Sequence, residues 1–179
     1  MVTVPRLLKR FVTPGRTYAL YGVHHVVQNV ITSLSNSRFF MLLFGDSSFA
    51  VTFVRALGYD LGRVEQTGSN FGTEMKHDAP HLVRIGTGTM ISDGLSLANA
   101  DFSSSSFRVS PLVIGERNFV GNDVVFPSRA RVGDNVLLAT KALVPIDGPV
   151  RSDVGLLGSP AIEIPRGGPS GASSAVSRR

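Results

Sequence analysis

Six apolar residues stand six positions apart along the chain: Ile114, Val120, Phe126, Val132, Leu138 and Val144. Gly115, Gly121 and Gly133 directly follow three of them, and Asn122, Asp123, Asp134 and Asn135 supply turn-forming side chains between them. A shorter run upstream, Ile85, Ile91 and Leu97, keeps the same period, with Gly86 after its first member. A fixed internal period outranks local propensity as a guide to fold. Six residues make one short strand and one tight turn, and three such steps close a triangular coil. The spaced aliphatic residue then points inward and stacks on its equivalents, each coil burying the apolar face of the next. The glycine beside it is expected to relieve the backbone where the chain turns a corner. The two series are out of phase, so residues 98–112 must leave the coil. That excursion loop carries Asn99, Ala100, Asp101 and Phe102, the serines 103 to 106, and then Phe107 and Arg108.

The segment ahead of the repeat has a different texture. Leu20, Val23, Val27, Val30, Ile31 and Leu34 follow helical spacing, with His24, His25, Gln28 and Asn29 mostly on the other face. A second helix is expected from about Asp46 to Leu57. Asp46, Ser47 or Ser48 would cap it, Phe49, Ala50, Phe53, Val54 and Leu57 form its stripe, and Gly58 would end it. The organisation read from this is a basic arm over residues 1–17, irregular around Pro5, Pro14 and Gly15, and a helical extension over 18–58. A β-helix follows over 59–165, and then a disordered, small-residue tail over 166–179. Residues 1–45 hold Arg6, Lys9, Arg10, Arg16 and Arg38 and no acid, whereas the middle of the chain is net acidic. The overall charge of +5 therefore belongs to the ends. Such an arm suits an anionic surface, lipid headgroups or an acidic neighbouring domain. Nucleic acid is not the expected partner, because the basic excess lies off the folded repeat. The chain has no Cys, which excludes a disulfide framework, a cysteine zinc site and a cysteine nucleophile. No apolar run reaches the ~18 residues that span a bilayer, and no signal peptide is read. The expected location is the cytoplasm, with membrane association through the arm.

The repeat, its mid-solenoid loop and the ending Gly158-Ser159-Pro160-Ala161 resemble the hexapeptide-repeat acyltransferases. That resemblance implies a left-handed parallel β-helix, a homotrimer and active sites between subunits. Longer strings carry a narrower likeness: Ser35-Asn36-Ser37, Phe44-Gly45-Asp46-Ser47-Ser48, Gln66 to Gly72, Lys76-His77-Asp78, Asn99 to Ser104 and Pro145 to Val150. They resemble a C-terminal tandem domain of the poly-ε-lysine-synthetase type of nonribosomal peptide synthetase. This implies an acyl- or aminoacyl-transferase module that forms amide bonds on aminoacyl substrates, with adenylation and carrier domains as partners. The acyl donor would be phosphopantetheine-linked or of the coenzyme A type, with no tightly bound cofactor. The alternative is a non-catalytic β-helix that trimerises and scaffolds a larger synthetase.

Acyltransferases of this superfamily carry a catalytic His in the mid-solenoid loop, and here that loop has none. His77 is the available base, expected in a turn outside the core positions. Asp101 or Asn99 would orient it as the third group of a relay. Arg108 is the candidate to pair with a carboxylate or phosphate, and Lys141 would either exclude free coenzyme A or bind a donor phosphate. No set of three or four convergent ligands suggests a metal. The enzyme reading requires His77 and Asp101 to share one cleft.

Overall fold

The computed structural model describes residues 3–45 and 49–166. Helices occupy Thr3–Leu8 (α1), Val23–Ser35 (α2), Arg38–Phe44 (α3), Ala50–Leu57 (α4) and Phe71–Glu74 (α5). From Asp60 onward the chain winds through three parallel sheets in turn. The first face stacks Asp60–Leu61, Val83–Ile85, Leu112–Ile114 and Arg131–Val132. The second stacks Val64–Thr67, Thr89–Ile91, Phe119–Val120, Leu137–Leu138 and Val154–Leu157. The third stacks Lys76–His77, Ser96–Ala98 and Val125–Pro127, with Leu143 bridging Val125. The order of faces repeats with every coil, which is the parallel β-helix the six-residue period demands.

Each face buries one column of side chains. Ile85, Ile114 and Val132 are in register on the first, Ile91, Val120, Leu138 and Leu156 on the second, and Leu97 with Phe126 on the third. All are buried, so the repeat positions form one continuous core. Helix α4 closes the first coil by adding Phe53, Val54 and Leu57 to that core. At the other end Ile162–Pro165 folds back antiparallel on Val154–Leu157.

The glycines after the inward residues have a different cause from the one expected. A Cβ on Gly86 would stand 2.6 Å from the Gly115 carbonyl carbon, and one on Gly115 would stand 2.5 Å from that of Gly133. These glycines let successive coils approach to hydrogen-bonding distance. The corners are turned at Arg117, Asp123, Arg129, Asn135 and Lys141, whose φ of 53° to 66° lies in the left-handed region. Asn and Asp tolerate that conformation best.

The N-terminal segment also departs from expectation. Residues 5–16 do not run as an irregular arm: α1 extends to Leu8 and a 3-10 turn covers Lys9–Phe11. Thr17–Ala19 is a strand, paired antiparallel with Ser106–Val109. The excursion loop is itself a hairpin of Ala100–Phe102 and Ser106–Val109. Tyr18 stacks on Phe107 at 5.6 Å and on His24 at 4.4 Å, giving the hairpin a small core of its own. Helices α3 and α5 lie outside the two helices that the spacing predicts. The Asp46, Ser47 or Ser48 cap and the tail over 167–179 lie outside the described residues.

Gly115→Ala is expected to destabilise by about 1–3 kcal/mol through overpacking against the next coil. Urea unfolding midpoints of the variant and the parent check this.

Candidate functional site

The first rung of the third face is held from both sides. The side-chain amide of Asn36 donates to the His77 carbonyl at 2.6 Å, and the His77 N–H donates to Asn36 Oδ1 at 3.2 Å. Gln28 Nε2 and Thr32 Oγ1 both donate to the Asp78 carbonyl, at 2.9 and 3.0 Å. Asn99 meets the backbone of Ala79, accepting its N–H and donating to its carbonyl, each at 2.9 Å. Helix α2 thus turns a face containing Gln28, Ile31 and Ser35 inward and leaves Val23 and Val30 exposed. Gln28 belongs to the face opposite the apolar stripe. It is buried because an extended strand edge needs hydrogen-bond partners that an aliphatic stripe lacks.

Between the helices and the third face lies an open cleft of about 1070 Å³. Asn36, Met41, Lys76, Asp78, Ser96 and Asp123 are among its walls. Asp123 is a corner residue, and its N–H donates to the Asp93 carbonyl of the coil before. Lys141 turns the same corner one coil on, its N–H donating to the Asn122 carbonyl. The exposed Lys141 side chain therefore stands on the corner column that edges the cleft.

His77 does not sit in a turn. It pairs with Leu97, occupies a core position of the third face and is only 4% exposed. Its ring packs edge-on against Tyr59 at 5.5 Å, and neither ring nitrogen has a hydrogen-bond partner. Burial lowers its pKa from 6.5 to about 4; the backbone of Ser35, near the ring but outside hydrogen-bonding geometry, opposes the shift. The turn and short helix of residues 68–75 move His77 out of the six-residue frame, which hid its inward direction. Asp101 lies on the hairpin, ion-paired to Arg108 at 3.3 Å and accepting from Ser128 Oγ at 2.9 Å. His77 and Asp101 are not brought together. Asn99 is fully buried, and both ends of its amide are engaged by Ala79.

Asp78 is the residue the pattern reading passed over. It lines the cleft, is partly buried, and accepts the Ala100 N–H on Oδ2 at 3.2 Å. Burial pushes its carboxyl upward, partly offset by that hydrogen bond. Among the described residues no group of three or more His, Cys, Asp or Glu gathers in a way that could hold a metal. No helix among them is long and apolar enough to cross a membrane.

The chain has the fold of the hexapeptide-repeat acetyltransferases. It superposes on a maltose O-acetyltransferase from Clostridium difficile 630 with a TM-score of 0.56 and 17% identity, covering 84% of this chain and 92% of that one. It matches a galactoside acetyltransferase in complex with coenzyme A with a TM-score of 0.57 and 13% identity, over 84% of this chain and 86% of that one. A hexapeptide-repeat-containing acetyltransferase from Vibrio cholerae O1 biovar eltor, complexed with acetyl coenzyme A, gives 0.56 and 14%, over 88% and 96%. No family model matches the chain. In sequence it is 26% identical over 165 residues to the delta-poly-L-ornithine synthetase of Acinetobacter baumannii (strain AB307-0294). That match takes in 92% of this chain and 12% of the synthetase, so the chain spans a small part of that relative's length.

The buried imidazole sets a pH dependence. Between pH 6.5 and about 4 the unfolded chain binds a proton at His77 that the folded chain refuses. Stability therefore falls as pH falls through that window, by about 3 kcal/mol for this residue. His81, lowered to about 4 by burial and then by Lys9, acts in the same sense. Asp78, raised, acts oppositely as pH falls through its folded value toward 3.8. His77→Leu, which extends the aliphatic column, is expected to flatten the pH 7 to 4.5 dependence of the urea midpoint without abolishing it.

Proposed function

We propose that this chain is an acyl- or aminoacyl-transferase module that forms amide bonds on aminoacyl substrates within a nonribosomal peptide synthetase. Its coil is left-handed, as the hexapeptide-repeat likeness implies, and its working form is a trimer. The observation that carries the reading is the cleft. It is large enough for a small acyl acceptor, lies against stacked coils, and is edged by the column of Asp123 and Lys141. The solved acetyltransferases of this fold with coenzyme A or acetyl coenzyme A bound support a thioester donor of the coenzyme A or phosphopantetheine type. The distant delta-poly-L-ornithine synthetase, matched over 12% of its length, supports an amine as the acceptor, and adenylation and carrier domains are proposed as the module's partners. Lys141 is proposed to meet the donor's phosphate. Arg108, held by Asp101, is proposed to be a secondary contact for an anionic group.

The trimer is supported by the outer side of the second face, where Met90, Phe119 and Leu137 are in register and Met90 and Phe119 remain 41% and 38% exposed. The outer column of the first face is mostly charged, with Asp60, Arg84 and Arg131 around a single exposed Val113. Phe119→Glu is expected to convert a trimer into monomers in sedimentation velocity; a monomeric parent chain would remove the trimer.

The scaffold reading is favoured by one observation: His77 and Asp101 do not meet. The two readings separate on Ser96→Trp, which fills the cleft from the third face. With an aminoacyl-pantetheine thioester and an amine, amide product measured by mass spectrometry is expected to fall at least ~10-fold, with unchanged circular dichroism. A parent chain that forms no product would leave the scaffold, and product undiminished in the variant would remove the cleft as the site.

A further inference from the structure

We infer that Asp78 is the carboxylate of the cleft that binds the acceptor's ammonium group and takes its proton. This rests on the transferase reading for the chemistry and on the cleft alone for the binding. Three carboxylates line the cleft, Glu74, Asp78 and Asp123, together with Arg38 and Lys76. Glu74 and Asp123 are exposed, and water screens them. Asp78 is partly buried, so its charge acts through a lower dielectric and attracts a cation more strongly.

Its partners leave it free for that role. Oδ2 accepts the Ala100 N–H. Among the described residues Oδ1 accepts no hydrogen bond, and neither Arg38 nor Lys76 forms an ion pair with the carboxylate. Its backbone is fixed by Gln28 and Thr32 on the carbonyl, and the residues before and after it are clipped by Asn36 and Asn99. A base held this way needs no reorganisation to meet its substrate. The alternatives are occupied or shut away. Asp101 is neutralised by Arg108, and the His77 ring lies inside the coil. Arg38, Glu74, Lys76, the 4% exposed His77 and Asp123 line the cleft with Asp78, and Tyr59 packs against the His77 ring. Burial raises its carboxyl toward working pH, which makes it a better proton acceptor than an ordinary aspartate.

The step balances without further reagents beyond the thioester donor. The substrate ammonium donates an N–H to Asp78, which takes the proton and leaves the amine neutral. The amine nitrogen attacks the thioester carbonyl carbon; the C–N bond forms, the C–S bond breaks, and the departing thiolate takes the second amine proton. Asp78 then returns its proton to water.

The test uses Asp78→Asn, whose amide oxygen still accepts the Ala100 N–H, and Asp60→Asn on the first face as control. Turnover with an aminoacyl-pantetheine donor is expected to fall about 10²- to 10⁴-fold in the first variant, and to hold in the control. Independently, n-butylammonium is titrated against the whole chain while the Asp78 side-chain carbonyl carbon is followed by NMR. It is expected to lower the Asp78 pKa in the parent chain, and its binding is expected to vanish in Asp78→Asn. Butylammonium binding through Asp78 in a chain without turnover would sink the transferase reading and keep the site. Butylammonium binding that is absent from the parent chain or unchanged in Asp78→Asn, or turnover unchanged in that variant, overturns the assignment.

Discussion

Coil-to-coil hydrogen bonding governs this molecule. Parallel strands sit about 4.8 Å apart, and every third of each coil must meet the next at that spacing. Inward side chains then stack in columns whose members must be apolar and alike in size. Where the backbones come closest, a Cβ has no room, and Gly86, Gly115 and Gly133 follow one another. Between faces, one residue per corner must enter the left-handed region, which Asp123, Asn135 and Asp153 tolerate best and Arg117, Arg129 and Lys141 also adopt. The repeat in the amino-acid sequence is the imprint of these three demands.

A solenoid of this kind has open ends, and the N-terminal end is where the fold becomes particular. Helix α4 plugs the first coil with Phe53, Val54 and Leu57. Helix α2 attaches sideways, through amide and hydroxyl groups directed at the backbone of residues 77 and 78. The strand Thr17–Ala19 then clamps the excursion hairpin, so that residues distant in the chain share one small aromatic core. The cleft is a product of this docking. Neither the coil nor the helices would form it alone.

The same docking divides the polar residues by task. Asn36, Asn99, Gln28 and Thr32 satisfy backbone groups that would otherwise be buried unpaired. Asp101, Arg108 and Ser128 tie the hairpin to the third coil. His77 is left neutral in the core, where its charged form is expensive. Once these are assigned to structure, Asp78 stands out as a cleft carboxylate with an uncommitted oxygen, and the chemistry proposed for the module gathers on it.

The six-residue period was enough to establish the coil, its core columns and the existence of an excursion near Asn99, because stacking imposes the same requirement at every turn. Helices α2 and α4 were legible from their spacing, whereas α1, α3 and α5 were not; in α3, RFFMLLF is apolar on nearly every side and shows no preferred face. The direction of His77 was invisible, because the insertion over residues 68–75 shifts it out of phase with the repeat. The pairing of Asp101 with Arg108, the burial of Gln28 and the position of Asp78 were equally hidden. Each depends on which backbone edge lies opposite, and that is settled only when the helices dock on the coil. Periodic positions are determined by local repetition, so the sequence alone can declare them. A site built from single, non-repeating residues exists only through contacts between distant segments, and only the tertiary structure decides those.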